Sequence, residues 1–322
     1  MTLPRIGVFD SGVGGLTVLK AIAEKLPAHY FYFGDTARLP YGTKSAETVA
    51  RYAIGATRFL ETQNIDLLVI ACNTATALAL PQIEAAAHVP VVGVVEPGAA
   101  MASEVSRNRA AIVIGTEATV SSHAYRDALE LHGLQTLEKA CPLFVPLVEE
   151  GWIEHPVTEQ VAKIYLGEAM AEAPEAADVL VLACTHYPLI APVLRRIVPE
   201  LMQIVDSAES TARVVKKMIE ESPEPRASSF DPCSTNSQTV SSRARSEATE
   251  HSLGHPERSE DAQAAKRSRR TPIAAGSPIT EHPTFRFYAT DSVDKFKRLA
   301  TRFLGRQVDK VEHVDLEAGI RE

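Results

Sequence analysis

The run Leu67-Leu68-Val69-Ile70-Ala71-Cys72-Asn73-Thr74 constrains the chain more than any other stretch. It is short, apolar and rich in branched side chains. It ends abruptly in a thiol and two small polar residues. Apolar runs of this length read as parallel strands buried on both faces. Polar groups at the carboxyl end of such a strand stand where open α/β sheets bind ligands. The pattern returns at Val179-Leu180-Val181-Leu182-Ala183-Cys184-Thr185-His186. The two stretches match position by position, and their cysteines are 184 − 72 = 112 residues apart. One local motif cannot span that distance. The cysteines are therefore read as equivalent points of two α/β halves that face each other.

Composition sets the outer bounds. A length of 322 residues allows two domains with sizeable cores. A formal net charge of −8 argues against a broad phosphate-binding surface, so no nucleic-acid partner is expected. No apolar run approaches the ~20 residues that cross a bilayer, and no membrane association is expected. Met1-Thr2-Leu3-Pro4-Arg5 leads straight into a strand without the apolar core of a signal peptide. Regulation through a long N-terminal extension is not expected either. The four cysteines lack CxxC spacing, which gives neither a zinc site nor a disulfide framework. Reduced thiols in the cytoplasm are the simplest expectation.

Taken in order, residues 6–9 form a strand that runs into Asp10-Ser11-Gly12-Val13-Gly14-Gly15. Leu16, Leu19, Ile22, Ala23 and Leu26 then keep a helical stripe. Such a turn can offer backbone N–H groups to an anion, or need glycine for backbone reasons alone. It fits neither GxGxxG nor the P-loop. Strands are further expected at 30–34, 91–95, 110–115, 203–205, 285–290 and 308–314. Helices are expected at 75–87, 121–131, 158–172 and 208–221. Ser45 is expected to cap a helix through Gln63, and Asp291 or Ser292 one with Phe296, Leu299, Ala300 and Phe303 inward. Pro188 opens a helix at a position that tolerates proline. Glu96-Pro97-Gly98 marks a domain crossing. The first domain is expected at 1–97 plus 208–221 and 284–322, the second at 98–207.

Residues 222–283 change character. They hold 12 Ser, 7 Pro and only five of Val, Ile, Leu, Met, Phe, Trp or Tyr. Such a segment cannot bury enough apolar surface to offset its ordering entropy, so a disordered insertion is expected. Its cluster Lys266-Arg267-Ser268-Arg269-Arg270 reads as a solvated linker.

A lone cysteine at a strand end is usually a small buried hydrophobe. Two in matched settings point to function. Cys141 and Cys233 have no such setting and are expected to be inert. Redox pairs usually lie close in sequence, and a shared metal needs more ligands than the nearby His186. Paired acid/base work remains: one thiolate removes a proton from one face of a carbon, and the opposite thiol delivers one to the other. That chemistry inverts a stereocentre.

The motifs Asp10–Gly15, Pro40-Tyr41-Gly42, Ala71-Cys72-Asn73-Thr74 and Ala183-Cys184-Thr185-His186-Tyr187-Pro188, in this order, resemble the cofactor-independent glutamate racemases. The resemblance covers residues 5–221 and 284–305. It implies an α/β fold of two pseudo-symmetric open-sheet domains with the active site in the cleft between them. It also implies L- and D-glutamate as substrates, no cofactor and no metal, a homodimer, and a product that feeds peptidoglycan synthesis. Cys72 and Cys184 would be the catalytic acid/bases. Asp10 would assist near Cys72, and His186 near Cys184. Glu149 would be a further acidic helper, with Glu150 as its rival. Ser11, Tyr41, Gly42, Asn73, Thr74, Thr119 and Thr185, with Asp10 and His186, would hold the substrate. The alternatives are an aspartate racemase and a non-catalytic amino-acid-binding module.

Exchanging residues 222–283 for a short Gly/Ser linker is expected to leave folding and activity intact, because loop length costs little once the ends are joined. A melting curve and a turnover assay check this. Loss of either means that the segment carries structure its composition hides.

Overall fold

The computed structural model describes residues 2–221 and 282–316. The insertion expected at 222–283, with Cys233, lies outside the described residues apart from His282 and Pro283. Two α/β series run in succession. The first comprises β1 (Arg5–Asp10), α1 (Leu16–Lys25), β2 (His29–Gly34), α2 (Ala46–Glu61), β3 (Leu67–Ile70), α3 (Asn73–Ala86), β4 (Val91–Gly93) and α4 (Val95–Val105). The second comprises β5 (Ala110–Gly115), α5 (Glu117–Ser121), α6 (Ala124–Leu131), β6 (Gln135–Ala140), α7 (Phe144–Glu150), α8 (Pro156–Glu172), β7 (Val179–Ala183), α9 (Ala191–Arg195), β8 (Gln203–Asp206) and α10 (Ser207–Glu221). The chain then adds β9 (Thr284–Ala289), α11 (Val293–Leu304) and β10 (Glu312–His313).

The strands form two parallel sheets, in the orders β10-β9-β2-β1-β3-β4 and β6-β5-β7-β8. Without the two late edge strands, both sheets follow one plan: second strand, first, third, fourth. This is the expected pair of pseudo-symmetric open α/β sheets. In each, the chain reverses direction across the sheet between its first and third strands. That reversal opens a crevice at their carboxyl ends, where open α/β sheets take ligands. Cys72 follows the third strand of one sheet and Cys184 the third strand of the other.

The apolar sequence pattern explains the layers. Every residue of β3 and β7 is buried. On α2, Val49, Ala53, Ala56 and Leu60 face inward at helical spacing. Ser45 caps that helix as expected, its hydroxyl accepting from the Thr48 amide at 3.3 Å. On α11, Phe296, Leu299, Ala300 and Phe303 are all buried. Each such large side chain contributes roughly 1.5–3 kcal/mol by leaving water. Among the described residues, no helix is long and apolar enough to cross a membrane.

Several local expectations are corrected. The strand expected at 91–95 stops at Gly93, and α4 starts at Val95, so residues 96–98 are helical. Pro97 fits there because the first turn needs no N–H from it. The helix expected at 121–131 is two helices, broken at His123, whose φ is +58°. β6, with its sequence Gln-Thr-Leu-Glu-Lys-Ala, was not anticipated. The last strand is only Glu312–His313 rather than 308–314. Ser292 takes a left-handed φ of +52° and makes no side-chain cap for α11.

Gly34 shows how tightly the two loops beyond β1 and β2 are packed. A Cβ there would lie 2.3 Å from the Gly12 carbonyl oxygen and 2.9 Å from Cε2 of Phe296. Backbone cannot yield as a side chain can. Gly34→Ala is expected to lower unfolding stability by ~1–3 kcal/mol, the usual cost of an overpacked site. Urea denaturation measures it, and an unchanged midpoint would show that the Gly12 turn moves aside freely.

Candidate active site

A cavity of about 430 Å³ opens at the carboxyl ends of the strands, within the range of small-molecule sites. Both sheets line it. From the first come Ser11, Tyr41, Gly42, Cys72, Asn73 and Thr74; from the second come Thr116, Glu149, Cys184, Thr185 and His186. Leu39, Pro142, Val145 and Pro146 supply apolar wall, and Lys295 reaches in from α11. The two thiols thus face one space, each buried except for a small exposed fraction.

The surroundings of Cys72 favour the neutral thiol. Its sulfur sits at the start of α3 and accepts from the Ala75 amide at 3.4 Å, while its S–H donates to Ser11 Oγ at 3.5 Å. A helix N-terminus normally favours a thiolate. Here burial wins, helped by the Asp10 carboxylate, and the thiol is pushed up to about 12. Asp10 is itself raised above the ordinary carboxylate range by burial, an effect that the nearby His186 opposes. Its Oδ2 accepts from the Gly12 amide at 2.9 Å in an Asx-turn, and Oδ1 is buried without a partner. Asp10 stands behind the cavity wall rather than in it.

The surroundings of Cys184 are charged. Its sulfur lies 4.0 Å from Nδ1 of His186, whose Nε2 lies 3.3 Å from Glu149 Oε1. Oε2 of Glu149 receives Nζ of Lys295 at 2.9 Å. Burial disfavours charge on the imidazole, but the Cys184 sulfur and the Glu149 carboxylate outweigh it and raise the ring to about 10. Burial likewise works against the Glu149 anion, yet His186 and Lys295 hold it down at about 2. Glu149 lies in the last turn of α7. Glu149 lines the cavity, and Glu150 is not among the lining residues.

The polar side chains sort themselves by free valence. Asn73 Oδ1 accepts the Tyr125 hydroxyl at 2.6 Å, which leaves its buried Nδ2 without a partner. Thr74, Thr116 and Thr119 share hydroxyl hydrogen bonds of 2.9 to 3.2 Å across the two sheets. Thr119 is the wholly buried member of that triangle, and Thr116 takes the cavity position expected of Thr119. Tyr41 lines the cavity with its ring, but its hydroxyl donates to Asp35 Oδ2 at 2.6 Å. Asp35 also accepts the Thr290 hydroxyl at 2.9 Å, which ties this loop to the end of β9.

The glycine-rich turn is explained by close approach. A Cβ on Gly14 would lie 2.2 Å from Thr185 Oγ1 and 2.6 Å from His186 Nδ1. The turn of one sheet is therefore pressed onto the cysteine loop of the other. Thr116 and Lys295 were missed by sequence reasoning. Thr116 carried a weak signal, as a hydroxyl just beyond an apolar strand. Lys295 carried none, because nothing near it in sequence belongs to the site. Among the described residues, no three His, Cys, Asp or Glu side chains gather as a metal site needs.

The model of the Asp/Glu/Hydantoin racemase family matches residues 6–215. A glutamate racemase from Koribacter versatilis is 55% identical over 97% of this chain and 98% of its own. Another from Syntrophus aciditrophicus is 39% identical over 98% and 97%. Among solved structures, a glutamate racemase isoform from Bacillus anthracis superposes with a TM-score of 0.75 at 32% identity, covering 97% of this chain and 98% of its own. The chain belongs to the Asp/Glu/Hydantoin racemase family.

Tyr125→Phe is expected to lower unfolding stability by ~1–3 kcal/mol, because it strands the buried Oδ1 of Asn73. Denaturant titration reads the loss. A neutral outcome would show that the Asn73 amide finds another donor.

Proposed function

We infer that this protein interconverts L- and D-glutamate, acting as an isomerase that uses two thiols. One observation carries the reading: a thiol from each sheet opens into one cavity, at equivalent places in a repeated fold. Relatives named glutamate racemase over nearly the whole chain support the substrate. The structure from Francisella tularensis, at 28% identity, was solved in complex with D-glutamate. They also weigh against the aspartate alternative.

The charges assign an order of events. His186 is held as a cation beside Cys184, where it can stabilise negative charge on the sulfur, whereas Cys72 keeps its proton. In this state Cys184 removes the α-proton of L-glutamate and Cys72 delivers its own to the opposite face. D-glutamate needs the reverse state. A thiolate is far less basic than the carbanion it generates, so the site must spread the charge that builds on the α-carboxylate. The free Nδ2 of Asn73 and the hydroxyls of Ser11, Thr74 and Thr185 are suited to that task. Gly42 offers backbone at the same wall. Asp10 holds the charge balance on the Cys72 side from behind, and Thr119 braces Thr74.

The domain division at 1–97 plus 208–221 and 284–322 against 98–207 belongs to this proposal, and the repeated strand order supports it. So do a homodimer, a cytoplasmic site of action and a product used for peptidoglycan, all on the family resemblance.

In D₂O, Cys72→Ser is expected to wash deuterium into the α-position of L-glutamate only, and Cys184→Ser into D-glutamate only. Neither should racemise, since a hydroxyl is essentially never ionised near neutral pH. In the intact enzyme, kcat/KM should fall on the alkaline side near pH 10, where His186 loses its proton before Cys72 does. Proton NMR and a pH series check both. A folded single variant with near-normal racemisation in both directions would overturn the two-thiol mechanism.

A further inference from the structure

The segment beyond residue 282 converges on the Cys184 side of the site. Lys295 Nζ lies 2.9 Å from Glu149 Oε2. Arg302 Nη1 donates to the carbonyls of Val148 at 3.0 Å and Glu149 at 3.2 Å, which closes the C-terminal end of α7. The Phe303 ring stands edge-on to the His186 ring at 5.1 Å. All three side chains belong to α11. Glu149, in turn, meets His186 through its other carboxylate oxygen.

We propose that Lys295 is a positioning residue of the reaction, fixing the Glu149 carboxylate against His186 and, through that ring, setting the charge beside Cys184. This rests on the two-thiol reading and extends it to a helix that none of the cysteine motifs includes. The geometry gives the reason. A carboxylate with one cationic partner can rotate about its last bond. Held from both sides, it presents Oε1 to Nε2 in one orientation. Among the described residues, the Glu149 carboxylate takes its second restraint from Lys295, since Arg302 grips the backbone and not the carboxylate.

Two effects of removing Lys295 oppose each other, and magnitude decides between them. Its own charge repels the His186 cation, so removal favours the ring's proton. But the Lys295 side chain is 51% exposed, and water and salt screen it. The Glu149 side chain is only 15% exposed, so its interaction with the ring is weakly screened. Losing the carboxylate's orientation therefore outweighs losing the repulsion, and His186 releases its proton at lower pH. The other ionisable groups facing this pair are Cys184, just beyond β7, and Asp10, at the end of β1.

The test is a double-mutant cycle of Lys295→Met and Glu149→Gln, read as kcat/KM across pH, with Lys295→Gln as a second neutral replacement. Thermal melting establishes that each variant is folded. Lys295→Met should reduce kcat/KM about tenfold, within the coupling expected of residues in one network. It should also move the alkaline limb to lower pH. Lys295→Arg should restore most of the rate and the limb. In the Glu149→Gln background, Lys295→Met should cost almost nothing more. Losses that add in the double variant, or an alkaline limb that stays in place, would overturn the role of Lys295. That failure is separable from failure of the two-thiol reading, which shows instead as racemisation by a single-cysteine variant.

Discussion

The cost of placing charge out of water governs this site. Ionisable groups crowd around one cavity, among them Asp10, Cys72, Glu149, Cys184 and His186. Burial alone would neutralise them all. On the Cys72 side it does so in part, because the nearest charge is another anion, and the thiol is pushed up to about 12. On the Cys184 side a chain of imidazole, carboxylate and ammonium resists it, the imidazole lying 4.0 Å from the sulfur. Two chemically identical side chains thus stand in unlike surroundings. A pair of thiols can act as acid and base at once only if something breaks their equivalence.

The repeated topology supplies the equivalence that the charges then break. The order of second, first, third and fourth strand recurs in both sheets, so each cysteine falls at the same crevice. Nothing in either sheet alone faces two sides of a carbon. The facing arrangement needs the loops of one half to bed on the other, and small residues permit it. Gly14 admits Thr185 and His186 to contact with the first turn. Gly42 lies against Thr116, with 3.0 Å from its would-be Cβ to the Thr116 Cβ. The threonine triangle then joins the halves by hydrogen bonds that either half can donate.

What the sequence made legible follows from range. A fully buried parallel strand is a local signal, because both faces must be apolar, and the two cysteine strands were readable for that reason. β6 is an edge strand of half-exposed residues and carries no such run. α4 hid behind Pro97 and Gly98, which read as a break although a first turn accepts the proline. Among site residues, Cys72, Cys184 and His186 could be found from their own neighbourhoods and from the family motifs. Thr116 and Thr119 could be placed in the right loop, but which hydroxyl faces the cavity depends on the cap of α5. Lys295 was invisible, since it reaches Glu149 only because β9 adds to the edge of the sheet beside β2 and carries α11 back across the site.

The asymmetry of the two thiols meets a thermodynamic limit. L- and D-glutamate have equal free energies in water, so the enzyme's kcat/KM must be the same in both directions. A cationic His186 beside Cys184 cannot therefore make the enzyme a better catalyst for one enantiomer at low concentration. It can only bias which of the two protonation states the empty enzyme occupies. The state that favours L-glutamate is the one with its proton on Cys72, and each turnover of L-glutamate leaves the proton on Cys184 instead. Before a second L-glutamate can react, that proton must return to Cys72. The chain Cys184, His186, Glu149 and Lys295 stabilises the starting state, and so it drives this return. The stronger it is, the more readily the enzyme resets after converting the L form, and the more slowly it resets after converting the D form. A network of this kind is therefore best balanced rather than maximal in strength.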